Sequence, residues 1–142
     1  LLFFGCSEPY VLEFIPQEKD TELSPIHMEI DTRLPIDENG YPLLYLNPNT
    51  YQTLHRVSGV LKRDGEPVNV VKVGWWSNHY WEYDGFEVPI VNSSSYSNED
   101  GEVNTMIGVV HSMVNDTITI YYGYYDDWTS EETYGDFQII IK

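Results

Sequence analysis

Hydrophobic and polar residues alternate with a period of two along several stretches after residue 26. In residues 117–122, two isoleucines and Tyr122 fall on one side, and two threonines and Tyr121 fall on the other. Because successive side chains of a β-strand point to opposite faces, this pattern predicts a strand with one buried face. The same alternation in residues 71–76 turns Lys72 and Trp76 towards water. The side chains predicted to be buried in these two strands and in the last one are Val71, Val73, Trp75, Ile118, Ile120, Tyr122, Phe137, Ile139 and Ile141.

Four dipeptides typical of tight turns divide the chain into short segments: Asn39-Gly40, Asp64-Gly65, Asp84-Gly85 and Asp100-Gly101. The segments between them are rich in Val, Ile, Thr, Tyr and Trp, which favour strands, and none shows a capped helical period. We therefore predict an all-β chain, folded as a single antiparallel β-sandwich of about seven or eight strands. The predicted strands are at about 26–34, 41–46, 53–63, 67–77, 86–91, 103–113, 116–125 and 134–142.

Residues 57–68 have the sequence VSGVLKRDGEPV, which reads as a strand, an Asp-Gly turn and a proline, and residues 70–75 read as a second strand. This arrangement resembles the opening of carboxypeptidase-regulatory-like modules, which are related to immunoglobulin-like and transthyretin-like domains. A second turn at residues 97–103 and a strand from residue 116 extend the resemblance. It implies a seven-stranded sandwich that is generally non-catalytic and is common in exported proteins of Bacteroidota. The aromatic insert at residues 77–95 departs from that pattern.

The first six residues, LLFFGC, resemble the end of a bacterial lipoprotein signal peptide. The resemblance implies cleavage before Cys6 and acylation of that cysteine, although Phe3 stands where a leucine is usual. Residues 7–24 alternate acidic residues with prolines and are predicted to form an extended tether, leaving residues 25–142 as the domain. The alternative is a buried first strand with Cys6 as a core thiol. A lipid anchor places the protein at the outer membrane, on either its periplasmic or its cell-surface side.

Charge narrows the set of partners. The chain has 142 residues, with 23 acidic and 7 Lys or Arg residues, and its formal charge is −16. Such a chain lacks the cations needed for nucleic acid or for anionic lipid headgroups. Residues 73–141 hold no Lys or Arg, yet they hold twelve acidic residues, all four tryptophans and eight of the twelve tyrosines. We therefore expect a basic surface on a larger outer-membrane protein to contact aromatic residues from 75–83 or 121–128.

No catalytic motif accompanies these features. The four histidines, His27, His55, His79 and His111, do not stand at metal-ligand spacing, and neither a nucleophile motif nor a phosphate loop is present. We predict a protein that is not an enzyme, with no cofactor apart from the lipid expected on Cys6. Clustered carboxylates leave a structural calcium ion as a weaker candidate. Its candidate ligands are Asp100, Glu102, Asp126 and Asp127.

The segment GWWSNHYWEYDG at residues 74–85 is the main candidate for binding. Exposed rings beside amide and carboxylate groups suit sugars, whereas exposed Trp and Tyr also suit a protein interface. Packing of these rings in the core is the third possibility. The predicted function is a non-catalytic, lipid-anchored binding or assembly module of the outer membrane, and the alternative is a surface glycan-binding lipoprotein. The candidate binding residues are Trp76, Asn78, Tyr80, Trp81, Glu82 and Tyr83.

Overall fold

A computed structural model describes residues 23–142, so the predictions for Cys6 and for the tether before residue 23 lie outside it. The described part is all-β apart from one short 3-10 turn, His111–Met113, and its connecting loops. None of its helical segments has the length and apolar character needed to cross a membrane. The strands are β1 (His27–Asp31), β2 (Leu43–Leu44), β3 (Gln52–Arg63), β4 (Glu66–Pro67), β5 (Lys72–Trp76), β6 (Tyr80–Tyr83), β7 (Phe86–Pro89), β8 (Asn92–Tyr96), β9 (Glu102–Val110), β10 (Thr117–Asp126) and β11 (Glu131–Ile141).

The strands form two main sheets and one separate hairpin. In the first sheet the long strand β3 lies between β9 and β1, and the short strand β4 also pairs with β3. In the second sheet the order is β2–β11–β10–β5–β8, so β10 lies at the centre. All pairs are antiparallel except that β2 runs parallel to β11, with Leu43 opposite Ile140. Strands β6 and β7 pair only with each other among residues 23–142.

One hydrophobic core joins the inner faces of the two main sheets. The first sheet contributes Val57, Leu61 and Ile107, and the second contributes Trp75 and Ile120, each at most 1% exposed. The alternation predicted in β5, β10 and β11 is confirmed. Inward positions are buried or half-buried, whereas Lys72 and Trp76 point outward. Val71, Tyr122 and Phe137 are the half-buried members of the predicted core and pack against its edge.

Several strand predictions were wrong in detail. The described chain has eleven strands, not seven or eight, and one of its pairings is parallel. The strand predicted at 67–77 is interrupted, because Val70 adopts a φ of +60° between β4 and β5. The strand predicted to reach residue 113 ends at Val110, and the 3-10 turn that follows buries Met113. Strands β6 and β8 were missed.

The turn dipeptides fold in two ways. Asp64-Gly65 and Asp84-Gly85 have positive φ at both residues, as a two-residue type I′ hairpin requires. The turn at Gly101 is wider, because the Gly101 N–H donates to the Asn98 carbonyl at 2.9 Å. Gly101 has a φ of +76°, and a Cβ there would lie 2.5 Å from the Leu61 carbonyl oxygen. Only glycine fits this crossing from one sheet to the other.

Candidate functional site

The aromatic segment at residues 74–85 does not form one surface. Trp76 stands on the outer face of the second sheet, where it contacts Tyr121 and Tyr134. Trp81 and Tyr83 belong instead to the hairpin and contact Tyr51. The sequence-predicted site is therefore divided between two aromatic groups.

The hairpin, β6 with β7, has one aromatic face and one acidic face. In an antiparallel pair, directly opposite residues share a face, so Trp81 with Val88 and Tyr83 with Phe86 lie on the same side. Trp81 is half-buried against the core, whereas Tyr83 and Phe86 near the turn are 60% and 72% exposed. The exposed end of the hairpin therefore carries large rings that contact water.

The other face of the hairpin concentrates negative charge. Glu82 and Glu87 are directly opposite each other, beside the exposed ring of Tyr80, and Asp84 occupies the turn. None of the three carboxylates forms an ion pair with another part of residues 23–142. Like charges facing each other across a strand pair destabilise it. Asn78 lies exposed in the loop before the hairpin.

The base of the hairpin also carries an unsatisfied group. Trp81 meets Tyr51 edge-on, with ring centroids 5.8 Å apart. Its buried Nε1–H has no hydrogen-bond acceptor within the described chain. An unpaired buried donor costs about 1–3 kcal/mol. The hairpin thus contains two features that reduce stability, and such departures from local rules are concentrated at functional sites.

The outer face of the second sheet carries the other aromatic group. The rings of Trp76 and Tyr121 are stacked 5.9 Å apart, and Trp76 meets Tyr134 edge-on at 6.1 Å. Gly123 lies beneath these rings, since a Cβ there would be 2.7 Å from the Tyr134 ring. Directly across from Gly123 on β5 is Gly74. Alternation along the sequence predicts that Trp76 and Tyr121 face outward, and their contact follows from the register between β5 and β10, which alternation does not determine.

A groove of about 710 Å³ lies beside β3 and the end of β10. Its ion pair joins Arg63 to both carboxylate oxygens of Asp126, with two N–H···O distances of 2.9 Å. The Trp128 ring lies 4.9 Å from the guanidinium carbon. The hydrogen bonds from Arg63 hold the pKa of Asp126 below its ordinary value, and the same bonds raise the pKa of Arg63. This pair was missed because 63 residues separate its members.

The calcium candidates do not converge. Both carboxylate oxygens of Asp126 are bound to Arg63, and Glu102 accepts a hydrogen bond from the Asn98 side chain in the turn that also contains Asp100. Asp127 is exposed beside the groove. Within residues 23–142, no group of three or more His, Cys, Asp or Glu side chains could hold a metal ion.

Two of the four histidines contact backbone carbonyl groups. The Nε2 atoms of His55 and His111 lie within hydrogen-bonding distance of the carbonyl oxygens of Thr32 and Thr50, at 2.6 and 2.8 Å. His27 is exposed on β1, and His79 is half-buried before the hairpin. In the described chain they are therefore not gathered into one site.

Comparisons with known proteins place the chain in no family. No family model and no curated protein matches it. Among solved structures it is similar to a Niemann-Pick type C2 protein from the Japanese carpenter ant, with 14% sequence identity and a TM-score of 0.35. The match covers 84% of this chain and 91% of the ant protein. A TM-score of this size does not establish a common fold.

Proposed function

We propose that this chain is a non-catalytic binding domain that docks on a partner protein through the hairpin β6–β7. One observation carries the proposal: the hairpin exposes Tyr83 and Phe86 at its turn while it opposes two unpaired glutamates on its other face. Exposed aromatic anchors on one face of a hairpin, with uncompensated charge on its other face, suit a docking element whose complement lies on another molecule.

The hairpin also defines the chemistry of the partner. Because the rings and the glutamates lie on opposite faces, the partner would hold the hairpin in a cleft, with an apolar wall against Phe86 and with Lys or Arg on the wall that faces Glu82 and Glu87. The basic wall would relieve the repulsion between the two glutamates, so docking would remove a cost that the free domain bears. A second copy of this chain does not fit, because two molecules of charge −16 repel each other. A larger outer-membrane protein with such a cleft is the proposed partner.

Docking through the hairpin is tested by using the chain to recover its partner from detergent-solubilised membranes. The native chain should recover one stoichiometric membrane protein. Phe86→Ala should weaken binding of the purified partner by about a hundredfold, as expected for a central anchor. Glu82→Gln with Glu87→Gln should mainly slow association and remove its salt dependence. Both rates are measured by surface plasmon resonance at several salt concentrations.

A matched control is Leu54→Ala, because Leu54 is an apolar side chain of the first sheet that is also 60% exposed. Its binding should equal that of the native chain. Binding that survives both hairpin variants, or that falls equally in the Leu54 variant, would contradict docking through β6–β7.

The location of the domain is a separate proposal. We infer from the apolar run before Cys6 that the mature chain begins at an acylated Cys6 and is held at the outer membrane through that lipid. The acidic, proline-containing segment that follows suits a tether between the anchor and the domain. The proposed class is an immunoglobulin-like β-sandwich of the carboxypeptidase-regulatory-like type, supported by the single core that the two sheets share.

Anchoring is tested by expressing the chain behind a full lipoprotein leader in a bacterium. Mass spectrometry should find Cys6 as the N-terminal residue, carrying the mass of attached acyl chains, and the protein should sediment with membranes. Cys6→Ser serves as the control and should move the protein to the soluble fraction. An unmodified thiol at Cys6 in membrane-associated native protein would refute the anchor while leaving the hairpin proposal intact.

A further inference from the structure

The outer face of the second sheet contains a slot that neither the hairpin nor the core uses. Its floor is Gly74, which lies opposite Gly123 in the interior of two paired strands. Beyond its chain neighbours, a Cβ at Gly74 would meet only the Gly123 carbonyl oxygen, 4.0 Å away. Glycine in the middle of a strand weakens the strand and often marks a place where a ligand approaches the backbone. Here the space above it is open.

Aromatic rings border this slot along both strands. Trp76 and Tyr121 are stacked on one side, and Tyr134 extends over Gly123. On the other side Tyr125 is 48% exposed, and Tyr96 is 63% exposed and pairs opposite Lys72. Lys72 and Trp76 are four residues apart on β5, so the borders are separated by about 13 Å along the strand. A ligand made of several linked rings would fit between the two borders if it lay across the strands.

The polar side chains beside Gly74 and Trp76 on β8 are neutral, and the charged side chains Lys72, Glu132 and Asp136 stand at the borders of the slot. Asn92 pairs opposite Trp76, and Ser94 pairs opposite Gly74 on the neighbouring strand β8. Amide and hydroxyl groups donate and accept hydrogen bonds, so they match the hydroxyl groups of a sugar. The rings have little freedom to lose on binding, because they are fixed on strands and packed against each other.

The charge of this face and of the whole chain indicates which ligands could bind in the slot. Asp136 pairs opposite Tyr121 on this face, and the chain as a whole carries −16, so an anionic polymer or a second copy would be repelled. Glycine and serine residues lie between the aromatic side chains of this face. The face therefore has no continuous apolar centre, which a protein interface needs. We propose that the slot over Gly74 binds a neutral polysaccharide, with pyranose rings stacked on Trp76 and Tyr134. The site is distinct from the hairpin.

The test is affinity electrophoresis of the full chain in native gels that contain laminarin, galactomannan, xyloglucan or polygalacturonate. At least one neutral polysaccharide should retard the native chain, and polygalacturonate should not. Trp76→Ala should raise the dissociation constant for the retarding polysaccharide by about tenfold or more. Gly74→Val should abolish retardation by filling the slot, and it should preserve the fold, because valine suits a strand interior. Circular dichroism and thermal melting check the fold.

Phe86→Ala is the matched control, because it removes an exposed ring from the hairpin but leaves the slot unchanged. Its retardation should equal that of the native chain, so failure of the hairpin proposal and failure of this one are distinguishable. Three results would each overturn the proposal: no retardation by any neutral polysaccharide, equal retardation of the native, Trp76→Ala and Gly74→Val proteins, or retardation by polygalacturonate alone. Loss of partner recovery in the Trp76→Ala protein without any retardation would likewise reassign this face to a protein.

Discussion

Replacing Trp75 by alanine should lower the free energy of unfolding by about 4 kcal/mol, because the vacated volume lies between the two sheets. Trp75 is 1% exposed, its ring centroid is 6.0 Å from that of Tyr122, and its Nε1–H donates to the Ser95 hydroxyl at 3.4 Å. Both contacts would be lost with the ring. Urea unfolding followed by circular dichroism measures the change.

The next residue on the same strand supplies the control. Trp76 is 37% exposed on the outer face and loses only its contacts with Tyr121 and Tyr134, so Trp76→Ala should cost about 1–2 kcal/mol, well below the cost of Trp75→Ala. Equal losses in the two variants would show that the inward and outward faces of β5 are assigned wrongly. The same comparison establishes that the Trp76→Ala protein used for polysaccharide binding is folded.

Breaking the Arg63–Asp126 pair should have an effect of similar size. Asp126→Asn leaves the Arg63 guanidinium without its charged partner at a site where both side chains are nearly buried, at 11% and 6% exposure. Removing one member of a buried pair costs about 3 kcal/mol or more. Arg63→Met with Asp126→Asn should recover part of that loss, since no uncompensated charge remains. The double-mutant cycle is measured by urea unfolding.

A surface pair is the control for this cycle. Lys62 and Glu29 are 3.9 Å apart, and their side chains are 41% and 70% exposed. Glu29→Gln should therefore change stability by less than about 0.5 kcal/mol. A loss as large as that of Asp126→Asn would contradict the distinction between a buried and an exposed pair.

The same pair determines part of the acid stability. The pKa of Asp126 is lower in the folded chain than in the unfolded chain, where it is about 3.8. The ionised Asp126 therefore adds its full contribution to the free energy of unfolding above about pH 3.8. This contribution is lost as the pH falls through the lower pKa of the folded chain. The native protein should therefore lose stability on acidification below about pH 4 more steeply than the Asp126→Asn protein. Thermal melting across that range compares the two slopes.

The sequence predicted strands well where one face is buried and poorly where pairing alone holds the strand. β5 and β10 were predicted because buried and exposed positions alternate along them. β8 has the sequence NSSSY, which contains no alternation, and it forms because its backbone pairs with β5 along one edge. Residues 111–113 resembled a continuation of β9, but the chain turns there and Met113 closes the core.

The candidate sites were less accessible to sequence reasoning, because they depend on register and on distant pairing. The alternation of buried and exposed positions predicts that Trp76 faces outward, but only the pairing of β5 with β10 brings Trp76 into contact with Tyr121. The acidic neighbours of Asp126 predict a calcium ligand, whereas the structure pairs it with Arg63, which lies on β3 in the other sheet. The slot at Gly74 exists because Gly74 and Gly123 lie opposite each other on paired strands. Neither glycine predicts the slot from the sequence on its own.

The parallel pairing of β2 with β11 has a consequence for how the chain folds. Ile140 lies 97 positions after Leu43, its partner across the pair, so this contact closes a very long loop. Contacts of that separation raise the contact order, and proteins dominated by them fold in milliseconds to seconds rather than microseconds. The central strand β10 also pairs with β11 along one side. Strands β10, β5 and β8 can pair without β11, but the second sheet reaches its full width, including β2, only when β11 joins it.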